Sequence, residues 1–249
     1  SCRKMKKIKG FSLIETLVAI VIGAISVAAI SYSYIFFNNT YQKITDKAKM
    51  SQAGRSSLQL IARDLRNAGY KNINYENATG QNWDRWIEKI DAHNGTKGDK
   101  LRIWYNISTQ DRIEISYYLK KNTSGETYLV REVIENPVVS PMKRNCERFD
   151  TQKNCAPITI IENATDFQVF FNDKDGNRLN NVNISSTENQ SKVHTAEIYI
   201  TVRSPNELLK NPIMFEMLNG GTAGQFTKSD KYLRETFYIS VYLRNVVKL

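Results

Sequence analysis

The 249 residues are enough for one substantial domain plus an additional element, and a hydrophobic content of 41% is ordinary for a folded protein. The formal net charge of +10 is unevenly distributed: five basic residues stand within the first nine positions, while residues 71–249 carry 24 basic and 22 acidic side chains. Basic residues ahead of an apolar segment are retained on the cytoplasmic side of a membrane, so the charge indicates topology and argues against direct nucleic-acid binding.

The first predicted element is an apolar helix in residues 11–37. These 27 residues carry one charged side chain, Glu15. A helix of this length rises roughly 40 Å, enough to cross the ~30 Å hydrocarbon core of a bilayer. We therefore predict one transmembrane helix, with the remainder of the chain outside the cytoplasm. A carboxylate near the bilayer centre costs about 2.5–3.5 kcal/mol, so Glu15 needs a partner unless it reaches the interfacial region.

The helical pattern continues through residues 38–70. Apolar side chains recur there at steps of three and four, no proline interrupts residues 11–68, and Gly69 stands where a C-cap is expected. The sequence therefore predicts one continuous helix whose second half is amphipathic and packs against a domain.

The end of this helix reads IARDLRNAGY and is rich in charge. Arg63 and Arg66 with Asp64 are interpreted as a solvated helix face with i, i+3 pairing. The exit at Gly69 and Tyr70 indicates a fixed junction with the following domain.

Residues 71–249 are predicted to form an extracytoplasmic domain rich in β-strands. Its first part is polar, with a short helical turn predicted in residues 83–90, and from residue 101 onward apolar and polar residues alternate. A hairpin loop is predicted at residues 120–126, and a loop with a short helix in residues 204–221. Strands are predicted at residues 101–105, 112–119, 127–134, 167–171, 196–202 and 237–247. The fold class is therefore α+β, an antiparallel sheet laid on the second half of a long helix.

Two cysteines, Cys146 and Cys155, bracket the polar stretch NCERFDTQKNC. Outside the cytoplasm this spacing favours a disulfide over two unrelated thiols. Closing so short a loop contributes roughly 2–3 kcal/mol through chain entropy. A zinc site is disfavoured because neither His93 nor His194 is near in sequence.

Nothing in the sequence points to catalysis. A Ser, His and Asp set, a phosphate-binding glycine loop and a CxxC motif are all missing, so we predict a non-enzymatic protein without a cofactor.

One polar cluster, FFNDKDGNRL, invites comparison with a calcium-binding loop. Asp173, Asp175 and Asn177 alternate as calcium ligands do, but the glycine and glutamate positions of an EF-hand loop are not matched. A hairpin turn at Asp175 and Gly176 explains the stretch without an ion. Calcium binding is kept as a minor hypothesis.

Four features occur together at the N-terminus: a short basic leader, Gly10, the sequence FSLIE and an uninterrupted apolar run. This combination resembles the class III signal of type IV prepilins. The resemblance implies that prepilin peptidase cuts between Gly10 and Phe11, removes leader residues 1–10 with Cys2, and methylates the new amine of Phe11. That amine, on the same or a neighbouring subunit, can pair with Glu15 in an apolar bundle. Met5 to Gly10 alone would make a complete leader.

The remainder of the chain is similar to the PilW minor pilins. The similarity rests on ARDLRNAGY, ATDFQVFFNDKDGN, AEIYITVRSP and the late LRETFYISVYLRN, and hardly covers residues 71–139. It implies a type IV pilin-like fold and a role in pilus priming and assembly at the tip. The implied partners are the major pilin, other minor pilins, prepilin peptidase and a tip adhesin. The implied location is the bacterial inner membrane, single pass with the domain in the periplasm, and then the pilus, which supports adhesion, twitching or DNA uptake.

Two alternatives remain open at this stage. The J-type minor pseudopilins of type II secretion share the arginine-rich helix end and would give the same architecture. A membrane-anchored periplasmic binding protein or enzyme would use the helix only as a tether, and Glu15 would then be dispensable.

Overall fold

The structure is a computed structural model, and it describes residues 12–70, 86–91, 96, 98–106, 112–135, 143–144, 157–180, 190–217 and 226–245. The chain forms two compact units, one ending at Asp46 and the other beginning at Lys47. A single helix, α1, runs over Leu13–Asn67 and contributes to both units. It ends where predicted: Gly69 has a φ of 74°, the left-handed conformation that suits a glycine after a helix.

Twelve strands follow in the described residues: β1 Ile87–Ile90, β2 Lys100–Asn106, β3 Arg112–Lys121, β4 Thr127–Glu135, β5 Lys143–Arg144, β6 Ile158–Ile161, β7 Ala164–Asn172, β8 Arg178–Leu179, β9 Thr195–Glu207, β10 Ile213–Met217, β11 Phe226–Asp230 and β12 Tyr232–Tyr242. Every pairing among them is antiparallel. The predicted class, one long helix followed by antiparallel sheets, is confirmed.

The strands make three sheets. Six strands pair in the order β1-β2-β3-β4-β5, with β6 also paired to β4. Four strands pair in the order β12-β9-β7-β8, and β10 with β11 forms a two-stranded ribbon. The predicted hairpin between β3 and β4 is present, with Gly125 at a φ of 81° in its turn.

Three sequence predictions about local structure need correction. Residues 87–90, predicted as part of a helical turn, form strand β1, because pairing with β2 places Ile87 opposite Ile103 in the core. The short helix predicted in residues 204–221 is replaced in the described part by the end of β9 and by β10. The last strand runs over Tyr232–Tyr242, so it begins before and ends before the predicted 237–247.

The main core lies between the second half of α1 and the two larger sheets. The helix contributes a buried stripe, which includes Leu58, Ile61 and Leu65, and the strands supply Ile115 and Phe167 among others. The helix and a core ring meet very closely at Gly54. A Cβ at that position would lie 2.3 Å from Cδ2 of Phe237. The helix is therefore fixed by packing as well as by the chain connection.

Asp99 links the two larger sheets. It immediately precedes β2, and its backbone N–H donates to the carbonyl of Phe167 in β7 at 2.8 Å. Its side chain accepts the N–H of Val169 at 2.9 Å and approaches Lys89 at 3.5 Å. Burial raises the pKa of Asp99 to about 6, and burial raises that of Asp166 in β7 to about 7.

Candidate functional site along the N-terminal helix

The apolar half of α1 is exposed in the described part of the chain. Every residue from Ser12 to Asn39 is exposed, and large side chains such as Leu13 and Phe37 keep 84% and 68% of their surface accessible. This is the one helix in the described residues that is long and apolar enough to cross a membrane, and its most apolar window is 0% buried. So much exposed apolar surface is stable only in lipid or against other chains.

The polar groups of this apolar half are largely satisfied by the helix itself. The hydroxyls of Ser26 and Ser33 donate to the carbonyls of Ile22 and Ala29, four residues earlier, at 2.8 and 2.9 Å. Such groups need no partner in lipid or in a helix bundle. Glu15 is the one charged side chain in residues 12–39.

The structure places Glu15 in the first turn of α1. Its Oε2 accepts the backbone N–H of Ser12 at 3.0 Å, and its Oε1 makes no hydrogen bond with the described residues. This is half of a capping box, in which an acidic residue in the first turn satisfies the N–H of the N-cap residue. The spacing of Ser12 and Glu15 is the S-x-x-E signature of that motif, a role that the sequence interpretation missed. One carboxylate oxygen remains for another partner.

Several predicted site residues lie outside the described residues. Gly10 and Phe11, the predicted processing site, precede Ser12, the first described residue. Cys146 and Cys155 lie within residues 145–156, which the structure does not describe. Cleavage, methylation and the disulfide stay predictions.

A separate buried carboxylate lies in the second unit, at the C-terminal end of α1. Asp64 is 1% exposed and accepts hydrogen bonds from the Tyr117 hydroxyl at 2.5 Å and from Nε of Arg131 at 2.9 Å. Nη2 of Arg131 also lies 2.9 Å from the same oxygen. Burial, reinforced by the Asp64 charge, raises the pKa of Tyr117, so the hydroxyl stays protonated and donates.

This arrangement corrects the prediction of a solvated charged face. Arg63 and Arg66 are exposed as predicted, but Asp64 points into the domain and joins α1 to β3 and β4. Sequence spacing contained the signal, because position 64 lies three residues after Ile61 and one before Leu65, both core residues. Because Asp64 is charged, the sequence analysis nevertheless placed it on the solvent-exposed face of the helix.

The predicted fixed junction at the helix exit is present. The N–H of Gly69 donates to the carbonyl of Trp104 at 2.9 Å, and the N–H of Asn106 donates to the carbonyl of Tyr70 at 3.0 Å. The side-chain amide of Asn245 donates to the carbonyl of Arg66 at 3.0 Å. The late VYLRN segment thus caps the helix end of ARDLRNAGY, two motifs 179 residues apart.

The remaining candidates have structural surroundings. Residues 173–177 form the turn between β7 and β8, where Asp173 Oδ1 accepts the N–H groups of Asp175 and Asn177, and Gly176 has a φ of 83°. These hydrogen bonds, first of all those from Asn177, lower the pKa of Asp173. Calcium binding there stays a prediction. His194 directly precedes β9, and its backbone bridges Asn172 and Leu243.

The N-terminal part of the chain, including the start of α1, is similar to a known protein family. Residues 5–31 match the family model described as the prokaryotic N-terminal methylation motif. A solved type IV-like pilin from Thermus thermophilus is similar over 79% of this chain and 96% of its own, with 12% identity and a TM-score of 0.48. No curated protein matches the chain. The match confirms the predicted N-terminal methylation motif, and the structure shows that this motif extends into one long apolar helix, which antiparallel sheets follow.

Proposed function

We propose that this protein is a PilW-type minor pilin, a structural and non-catalytic subunit that helps to prime and assemble a type IV pilus and occupies its tip complex. The observation that carries the proposal is the exposed apolar half of α1, most of which lies within the matched methylation motif and which holds one carboxylate in its first turn. A mere tether needs the apolar surface but not Glu15.

The proposed pathway is the one that the resemblance to type IV prepilins implies. The chain first sits in the inner membrane with its sheet domain in the periplasm. Prepilin peptidase then cleaves after Gly10 and methylates the amine of Phe11. The helix leaves the bilayer for a bundle of pilin helices, where major and minor pilins replace lipid around its apolar surface. The subunit sits near a tip adhesin and supports pilus-dependent adhesion, twitching or DNA uptake.

In the bundle, Glu15 acts as an assembly register. Its Oε2 remains on the Ser12 N–H, and Oε1 accepts a hydrogen bond from the protonated amine of Phe11 in a neighbouring subunit. Each charge would be costly alone in an apolar bundle, so their pairing favours one axial position of a subunit over the others.

The test combines processing with assembly. We expect mass spectrometry of the native protein to show an N-terminal methylated Phe11. We expect Glu15→Gln to be cleaved normally but to enter sheared pili at least tenfold less well, while the exposed control Glu162→Gln is unaffected. An unprocessed N-terminus in cells that contain the peptidase, or full incorporation of Glu15→Gln, would contradict the proposal.

A further inference from the structure

The solvent-facing side of α1 carries a line of cations within the unit that begins at Lys47. At 100° per residue, these side chains fall within about 120° of one another around the helix. We define this basic stripe as Lys49, Arg55, Arg63 and Arg66, all of which are exposed. The residues between them on the same side are polar and uncharged, namely Gln52, Ser56 and Gln59.

Among the described residues, little negative charge lies close enough to neutralise the basic stripe. Asp64 is the one acidic residue in positions 47–67 of the sequence, and it is buried toward Tyr117 and Arg131. Arg63 reaches Asp64 Oδ1 at 3.4 Å with a side chain that is 65% exposed. The side chains of the other three members of the stripe make no hydrogen bond or ion pair with the described residues.

A second copy of the chain is a poor occupant of this face. If two copies packed with their basic stripes face to face, like charges would approach one another, because positions 47–67 hold no exposed carboxylate. Such like-charge contacts suppress a wrong partner. The face is therefore poorly suited to pairing with the same face of a second copy, and it is complementary to a helix with carboxylates at helical spacing.

We propose that the basic stripe docks on an acidic helix face of a different pilin-like subunit in the same filament complex. The inference rests on the proposed function and names the chemistry of its partner. Complementary charges flanking an apolar bundle set which helices pair and in which register. This chain would then enter mixed complexes and not form a filament of its own.

A helix is a better match to the basic stripe than a lipid surface. From Lys49 to Arg66 the stripe extends roughly 25 Å along one line, the shape presented by a second helix lying alongside. A helix lying on a membrane inserts its own apolar face, but the apolar face of this segment is already buried in the domain core through Leu58, Ile61 and Leu65.

The experiment uses the full chain in the bacterium, with a photocrosslinking amino acid at position 59, in the middle of the stripe. We expect a crosslink to another chain that carries an N-terminal methylation motif, within a helical peptide with carboxylates at i, i+3 or i+4 spacing. The triple variant Lys49→Glu, Arg55→Glu, Arg66→Glu should reduce the crosslink at least tenfold. Reversing the carboxylates of the crosslinked partner should restore it.

A matched control keeps the result specific. The variant Lys120→Glu, Lys174→Glu, Lys210→Glu makes the same change in net charge at exposed positions elsewhere and should crosslink like the parent chain. Tryptophan fluorescence should show that both triple variants unfold like the parent.

Other outcomes overturn the inference. These are a crosslink only to phospholipid, a crosslink to a second copy of the chain, or a pilin crosslink that survives charge reversal or is lost equally in the control. If Phe11 is still methylated and the protein still enters pili in those cases, the proposed function stands and the basic stripe alone is refuted. An unprocessed N-terminus refutes the proposed function directly.

Discussion

Replacing Arg131 by methionine should strongly destabilise the sheet domain, because it leaves a buried charge without its counterion. In the parent chain Asp64 is 1% exposed and receives Nε and Nη2 of Arg131, both at 2.9 Å. After the change Asp64 keeps the Tyr117 hydroxyl and a long 3.4 Å contact with Arg63, itself mostly in water. Removing one partner of a buried ion pair costs about 3–5 kcal/mol. For a domain of this size, that lowers Tm by roughly 6–20 °C.

The double variant Asp64→Leu, Arg131→Met distinguishes two causes of destabilisation: the loss of the ion pair itself and the burial of an unpaired Asp64 charge. Since it removes both charges and fills the site with apolar side chains, it should recover most of the stability lost by Arg131→Met. Unfolding of the full chain in detergent can be followed by fluorescence, because Trp83, Trp86 and Trp104 all lie beyond the helix and report on the sheet domain. If Arg131→Met costs less than about 1 kcal/mol, as exposed ion pairs do, the account of the helix end is wrong.

Three further predictions concern the same domain. The folded-state pKa values of Asp99 and Asp166 are about 6 and about 7, and both exceed the unfolded value of 3.8. The two protonated carboxyl groups therefore contribute their full stabilisation below pH 3.8, and this contribution is lost as the pH rises through 6 and 7. Denaturant titrations should show the free energy of unfolding falling by about 4 kcal/mol between pH 5 and pH 8, because pH 5 lies about one pH unit below the pKa of Asp99 and about two below that of Asp166. The double variant Asp99→Asn, Asp166→Asn should flatten this slope, and an unchanged slope would contradict the assignment. Gly54→Val should cost roughly 2 kcal/mol because its side chain collides with a core ring, whereas Gly23→Val, with nothing within 4 Å, should leave domain unfolding unchanged; equal effects would argue against the close approach. Asn245→Ala should cost about 1 kcal/mol and speed hydrogen exchange in the last turn of α1, and unchanged exchange would show that this side chain does not cap the helix.

Sequence periodicity predicted most of the fold because its signals were local. Alternation located β2, β3, β4, β7 and β9 within a few residues, and the long helix was predicted to within two residues at each end. Residues 213–217 were harder, since IMFEM has no clean period of two and becomes a strand only through pairing with β11. The strand β1 is likewise determined by its partner β2, whose sequence lies ten residues away.

The site shows the same division between local and distant information. Glu15 stood out in the sequence because one carboxylate in 27 apolar residues is conspicuous without any knowledge of its neighbours. Its hydrogen bond with Ser12 spans three residues and was readable from the S-x-x-E spacing. By contrast, the partners of Asp64 are separated from it by 53 and 67 residues, so no window of sequence contains them.

A physical asymmetry in α1 connects these two carboxylates. Asp64 is satisfied within its own domain, by Tyr117 and Arg131, and can therefore be buried in the folded monomer. Glu15 has one oxygen on its own backbone and one without a partner among the described residues, on a helix half that is exposed throughout. Asp64 thus obtains its hydrogen-bond partners when the domain folds. The second oxygen of Glu15 has to obtain its partner from a group outside the described residues. Measuring both substitutions in one strain should separate these roles: Arg131→Met should lower domain stability before and after assembly, whereas Glu15→Gln should leave domain unfolding unchanged and lower incorporation alone.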